Sequence, residues 1–351
     1  MRASYWRGRR VFVTGHTGFK GAWLCLLLAR LGAETHGYAL ETPQHFLFHR
    51  ARVAEVLSRD VRGDVRDQDK LQWAMRTCDP DIVLHLAAQT TVREGYASPR
   101  ETFSVNVDGT VTVLDVTRSI ENVKSCVVVT TDKVYRNNEW QWAYRETDTL
   151  GGDDPYSASK AAAELATYSF AVSFPRTGYA VATARAGNVI GGGDATPDAL
   201  IPEVVTSMAE GREAMLRYPQ ATRPWQHVLE PLSGYLTLAE QLGPNLNATA
   251  WNFGPTADDV LTVAEVTERL GEHWGGGRWR STGEAGPHEA GLLSVDSALA
   301  RHELGWRPLL DVDEAIAWVA NWESAVRGGK TPREVTEGQI AEYVARRAHD
   351  S

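Results

Sequence analysis

Short apolar runs recur along the first half of the chain. Residues Arg10–Thr14 are rich in β-formers and run into a glycine cluster. Further runs occupy 35–40, 82–86 and 123–130, the last with four valines around Cys126. These runs are apolar nearly throughout, the pattern of strands buried on both faces. Between them lie helical patterns, notably the apolar stretch after Gly21 and residues 105–120. Strands alternating with helices predict an α/β fold, a doubly wound parallel sheet covered on both sides. The alternation stops at 187–202 and 217–231, where Pro and Gly cluster, and these stretches read as loops of a smaller lobe. Beyond them, 250–253 is strand-like, and 263–274 and 312–326 are helical. There is no internal repeat.

Composition narrows the class. At 351 residues the chain suits two domains of about 150 residues each. Its 43% hydrophobic and 23% charged content is that of a globular protein. The net charge of −9 argues against general nucleic-acid binding, which needs a basic footprint. The charge is uneven: residues 1–66 hold eleven Lys/Arg against five Asp/Glu. The longest apolar run, 22–31, is interrupted by Arg30 and too short to span a membrane. Cys25, Cys78 and Cys126 lie in or beside apolar runs without metal-ligand spacing, which predicts reduced core residues, no metal site and a cytoplasmic location.

Three motifs carry candidate chemistry. Gly15-x-x-Gly18-x-x-Gly21 follows a strand and opens a helix. Glycines there permit a tight turn and close approach to a pyrophosphate, which the helix N-terminus favours. A ligand-free turn fits the same spacing. Gly63-Asp64-Val65 and His85-Leu86-Ala87-Ala88-Gln89 also follow strands, at the ends where such sheets bind ligands. Glu41, just beyond the second strand, fits either a ribose contact that selects NAD or a solvated loop residue. No arginine stands immediately there to meet a 2′-phosphate. In the second motif, Tyr156 and Lys160 open a helix four residues apart and so share a face. An ammonium beside a phenol favours the phenolate, a base toward an alcohol as hydride leaves; an exposed helix-start pair is the plain reading. Third, Thr131-Asp132-Lys133 follows the valine-rich strand, as a polar turn or as the acid and base that an elimination requires.

Together Gly15-x-x-Gly18-x-x-Gly21, Thr131 and Tyr156-x-x-x-Lys160 resemble the extended short-chain dehydrogenases/reductases. More closely, on longer strings, the chain resembles the CDP-glucose 4,6-dehydratases. The strings are the stretch from Val11 to Gly21, Thr130 to Lys133 with Tyr135, Glu139-Trp-Gln-Trp142, Arg185 to Asp194, Arg223 to Pro231 and Trp251-Asn-Phe-Gly-Pro255. The resemblance runs from Trp6 to about Tyr343. It implies a Rossmann-type NAD-binding domain over 1–185, with returns from roughly 225–255. It also implies a mainly sugar-nucleotide-binding domain over 186–351, interleaved with the first. The implied cofactor is tightly bound NAD, held by Gly15, Thr17, Gly18, Phe19, Gly21, Asp64, Val65, Leu86, Ala87, Ala88, Tyr156 and Lys160. The implied reaction is oxidation at carbon 4, elimination of water across carbons 5 and 6, and hydride return to carbon 6. Tyr156, with Thr131 and Lys160, serves the oxidation; Lys133 takes the carbon-5 proton and Asp132 protonates the leaving hydroxyl.

The substrate of this pattern is a nucleotide-diphosphate hexose, and Gln89, Asn188, Arg223 and His227 match its contacts. Related dTDP-glucose dehydratases carry Glu in place of Lys133, and an aromatic and an arginine usual in the loop after Asn188 are missing here. The nucleotide and the sugar therefore stay open. Two other readings keep the fold: a sugar-nucleotide epimerase, which needs the tyrosine but no elimination acid and base, and a non-catalytic NAD sensor. Apolar stripes on 105–120 and on the helix from Tyr156 to Phe174 fit either core packing or the homodimer that the resemblance implies.

Overall fold

The apolar runs become the middle of one sheet. In the computed structural model, which describes all residues except 244, 245, 247, 257, 258, 275, 284–291, 350 and 351, seven strands pair in parallel. They are β1 (Arg10–Thr14), β2 (Glu34–Ala39), β3 (Arg59–Arg62), β4 (Ile82–His85), β5 (Ser125–Val129), β6 (Ala180–Arg185) and β7 (Ala250–Asn252). Their order is β7-β6-β5-β4-β1-β2-β3. Chain progression reverses between β1 and β4, which opens a crevice over their carboxyl ends. There Thr14 Oγ1 lies 2.7 Å from His85 Nδ1. β6 is alanine-rich and β3 is charged, so neither stands out as an apolar run.

Helices cover both faces. In chain order α1 (Phe19–Leu31), α2 (Gln68–Cys78), α3 (Gly109–Arg118) and α4 (Pro155–Ser173) follow β1, β3, β4 and β5. α1 is buried almost all round, as a helix packed between a sheet and further helices must be. It shares one apolar cluster with the helix Leu229–Gln241 and with Ile340 and Tyr343 of the final helix, Pro332–His349. α2 and α3 pack on the other face. The π-helical turn Ser104–Asp108 leads into α3; such turns are rare and frequent at functional sites. All three cysteines are buried and unpaired.

A second cluster, separate from the sheet, includes Ile190, Val204, Trp225, Val266 and Val319. It gathers helices Leu200–Ala209, Val263–Glu272 and Val312–Arg327 with three two-stranded ribbons. Thr262 and Glu265 cap the second of these helices reciprocally. The final helix returns to the sheet, where Tyr343 and Arg347 bond the buried Glu230, at 2.9 and 2.8 Å. Its polar sequence hid this: few of its residues are buried.

α4 is tied to the sheet by a buried ion pair. Glu164 accepts from Arg185 Nη2 at 2.7 Å and Thr183 Oγ1 at 2.6 Å, and also from Thr130 Oγ1. Removing one member of a buried pair strands the other charge without water. Glu164→Ala is expected to lose about 3–5 kcal/mol of stability, read as a lower urea midpoint.

Candidate active site

The glycine loop is shaped by absent side chains. Gly15 has φ +74, and a Cβ on it would sit 2.6 Å from the Ala87 nitrogen. A Cβ on Gly21 would sit 2.2 Å from the Gly15 carbonyl oxygen. α1 therefore starts hard against the ends of β1 and β4. Gly18 is its N-cap and offers no side chain to its first amides, leaving them open to an anion. Thr17 donates to the Leu40 carbonyl at 3.0 Å, fixing the loop after β2. Leu86, Ala87 and Ala88 line the end of β4. Val65 is buried, and Asp64 is held by Arg66, at 2.6 Å. Phe19 lies against Gly191 from the second lobe. The uncapped amides at the start of α1, beside the ends of β1 and β4, could hold a dinucleotide pyrophosphate.

α4 brings in the next pair. Asp154 caps it, accepting from the Ser157 amide at 3.0 Å, and Pro155 occupies its first turn. Tyr156 and Lys160 are both buried. Lys160 Nζ donates to the Val129 carbonyl at 3.0 Å, at the end of β5. Burial lowers the Lys160 ammonium to about 8, assisted by Lys20 and opposed by Glu164. Burial raises the Tyr156 phenol well above its usual value, and hydrogen bonding with Thr131 works against that rise. Desolvation outweighs the phenolate-favouring effect expected from a neighbouring lysine.

The β5 end supplies the triplet. Thr131 Oγ1 donates to Asp132 Oδ1 at 3.0 Å. Lys133 Nζ reaches the same oxygen at 3.1 Å and Asn188 Oδ1 at 3.2 Å. Asp132 is wholly buried, yet its Oδ2 has no partner. A Cβ on Gly187 would stand 2.6 Å from that oxygen, so glycine at 187 is what leaves it room. Lys133 lines a cleft with Arg223, Tyr135, Ser157 and Asp154. Arg223 lies on the small strand Thr222–Pro224 of the second lobe. Gln89 is held by backbone bonds with Asn106, and its buried Oε1 has no partner. Thr131, Asp132, Lys133, Tyr156, Lys160, Asn188 and Arg223 thus converge on one end of the sheet.

His227 does not join them. It is fully buried, edge-on to Trp23 at 5.5 Å and Trp318 at 5.4 Å, and accepts from the Leu229 amide at 3.3 Å. Burial lowers it to about 3, which keeps it neutral. The expected substrate contact is a core residue that ties the two lobes. Two residues were not anticipated. Lys20, inside the glycine motif, interacts with Asp132, Lys133 and Lys160, and burial lowers it to about 8. Asn106, in the π-turn, donates to Ser159 at 2.9 Å and braces Gln89. The first was visible as the lysine between Gly18 and Gly21; no sequence signal marked the second.

A family model described as GDP-mannose 4,6 dehydratase matches residues 12–319. The CDP-glucose 4,6-dehydratase of Salmonella typhimurium is 42% identical over 97% of this chain and 98% of its own length. Among solved structures, the dTDP-glucose 4,6-dehydratase of Streptomyces venezuelae with NAD bound has a TM-score of 0.78 at 26% identity. It covers 91% of this chain and 98% of that one. The UDP-glucose 4-epimerase of Thermotoga maritima reaches 0.77 at 19% identity, over 90% of this chain and 99% of that one, a likeness of fold alone.

The depressed Lys160 value has a measurable consequence. Between about 8 and the unperturbed 10.5, the unfolded chain holds a proton that the folded chain has released. Stability therefore rises with pH across that window. The rise in urea midpoint from pH 8 to 10 is expected to be smaller in Lys160→Met than in the unsubstituted protein.

Proposed function

The chain belongs to the nucleotide-sugar 4,6-dehydratase family of extended short-chain dehydrogenases, and on that premise we propose that it is an NAD-dependent lyase converting CDP-glucose to CDP-4-keto-6-deoxyglucose. The observation that carries this reading is the Asp132–Lys133 pair. One strand end presents a buried acid with a free oxygen beside an amine anchored on Asn188. An epimerase needs no such elimination pair.

Bound NAD supplies a hydride acceptor at carbon 4 and the donor at carbon 6. Tyr156 takes the carbon-4 hydroxyl proton, and Lys160 favours its phenolate by charge. Thr131 shares that proton by hydrogen bonding. The new ketone acidifies carbon 5, whose proton Lys133 removes as the neutral amine, its own proton having passed to Asp132 across their 3.1 Å contact. Asp132 donates through its unpartnered Oδ2 to the departing carbon-6 hydroxyl. Asn188 and Arg223 hold the diphosphate, the guanidinium by its fork and permanent charge, and Gln89 meets sugar hydroxyls with its free Oε1. The NAD-binding domain is 1–185 with returns from 225–255, and 186–351 mainly forms the sugar-nucleotide domain. The three buried thiols suit the cytoplasm.

The enzyme is a homodimer. On α4, Leu165, Tyr168 and Val172 share one face at helical spacing and are more than half exposed, at 59%, 55% and 53%. Phe103, on the short helix Pro99–Phe103, and Val111, on α3, add exposed apolar surface nearby. A contiguous apolar patch of this kind marks an interface. Light scattering is expected to give a dimer mass that Leu165→Glu with Tyr168→Glu reduces to a monomer; a monomeric parent protein rejects the interface.

Two measurements test the reaction. Incubation with CDP-, dTDP-, GDP- and UDP-glucose is expected to yield a product lighter by one water, fastest with the CDP sugar; a product of unchanged mass means epimerisation. Lys133→Ala is expected to lower kcat by roughly 100-fold or more, and full activity in that variant removes Lys133 from the mechanism.

A further inference from the structure

Elimination of water leaves a proton in the wrong place. Over one turnover the sugar loses one water and nothing else, so no net proton is exchanged with solvent. Tyr156 enters as the phenolate and takes the carbon-4 hydroxyl proton. Lys133 takes the carbon-5 proton as the neutral amine and returns it to carbon 5 when hydride arrives at carbon 6. Asp132 gives its proton to the departing carbon-6 hydroxyl, which leaves as water. Hydride leaves carbon 4 and ends on carbon 6. At the close Tyr156 holds one proton more than at the start, and Asp132 one fewer. A second turnover requires that proton to move from the phenol to the carboxylate.

One hydroxyl stands between the two groups. Thr131 Oγ1 donates to Asp132 Oδ1 at 3.0 Å, and Thr131 also hydrogen-bonds with Tyr156. The Lys133 amide donates to the same Oγ1 at 3.4 Å, because Thr131 caps the short turn Asp132–Val134. A threonine hydroxyl has one proton to give and two lone pairs. Its proton is on Asp132 and the Lys133 amide takes one lone pair, so the second is left to accept from the Tyr156 phenol. The path from Tyr156 through Thr131 to Asp132 thus already points the way the proton must go. All three residues are buried. Burial also raises the phenol, so at neutral pH it does not give this proton up to water unaided.

We infer that the Thr131 hydroxyl is the relay that resets the site between turnovers, passing to Asp132 the proton that Tyr156 has gained. In the transfer the Tyr156 O–H bond breaks as one forms at Thr131 Oγ1. The original Thr131 O–H bond breaks as one forms at Asp132 Oδ1. The hydroxyl stays neutral, the phenol becomes phenolate and the carboxylate becomes the acid, so protons and charge balance. A half-turn of the carboxyl about its Cβ–Cγ bond exchanges its two oxygens and brings the proton to the unpartnered Oδ2 position. The inference rests on the dehydratase reading and adds that one threonine couples the base of the oxidation to the acid of the elimination.

The test is steady-state kinetics of NAD-loaded protein with CDP-glucose, unlabelled and deuterated at carbon 4, in imidazole buffer of varied concentration at fixed pH and ionic strength. Thr131→Val keeps the shape of threonine without its hydroxyl and is expected to lower kcat by about tenfold or more. Its slow step is then the reset, so the carbon-4 deuterium effect on kcat is expected to be close to unity. Its kcat is expected to rise with imidazole, which carries the proton instead, while the parent rate stays flat. Thr131→Ser restores a hydroxyl and is expected to return kcat to within about threefold of the parent. Where the valine protein does not fold, Thr131→Ala carries the same expectations. Three outcomes overturn the inference: a kcat within about twofold of the parent in the variant without the hydroxyl, a lowered kcat that ignores imidazole, or a lowered kcat with a deuterium effect larger than the parent's. The last places the loss in the oxidation, where the hydroxyl only holds Tyr156. A parent protein that forms no product lighter by one water overturns the dehydratase reading itself, and the inference with it.

Discussion

Glu164 sits on the buried side of α4 with its carboxylate between β5 and β6. One oxygen accepts from Thr130, the residue before the Thr131–Lys133 triplet; the other accepts from Thr183 and Arg185. Arg185 continues to the Tyr135 hydroxyl at 2.8 Å, and that hydroxyl donates to Asn252 at 2.7 Å on β7. The network brackets Thr131, Asp132 and Lys133 on both sides. It also fixes the helix that carries Tyr156 and Lys160. Tyr156 and Lys160 come from α4 and Asp132 and Lys133 from the end of β5, and this carboxylate joins the two elements. A charge held only by partners inside the protein is a demanding joint, because each partner is specific and none can be replaced by water.

The same low-dielectric setting shapes the charges that face the ligands. Lys20 and Lys160 are both lowered to about 8 by burial, and each lies within reach of the other's field. Two cations so placed are a burden to the folded chain and an asset to an anionic ligand, which restores the balance when it binds. Of the positive charge in residues 1–66, only Lys20 takes part in this. The arginines there are largely spent locally, Arg9 on Asp81, Arg10 on Asp79, Arg66 on Asp64 and Glu101. Lys160 is buried and Lys20 half-buried, which a charge count does not distinguish.

What could be read from the sequence follows from what each feature depends on. The strands Arg10–Thr14, 82–86 and 123–130 were legible because burial on both faces leaves an apolar run. β6 was not, because alanines filled it, and the last helix was not, because only one narrow stripe of it is buried. The glycine loop and the Tyr156/Lys160 pair were legible because their geometry is local in sequence. Glu164 and Asn106 were not: each acts through partners brought near only by the sheet. His227 shows the converse. It lies in a string that resembles substrate contacts, but packing between two tryptophans decides its place.

The fold itself does not choose the reaction, since an epimerase superposes on the chain about as well as a dehydratase does. At the end of β5 consecutive residues point different ways. Asp132 turns inward, wholly buried, into the space that Gly187 leaves by lacking a side chain. Lys133 turns outward into the cleft, a quarter exposed, and is held by Asp132 and Asn188. An acid and an amine that share one oxygen contact but face separate spaces can serve two different carbons of one sugar. In the proposed reaction, these two residues with opposite orientations at one strand end are what adds an elimination to an oxidation.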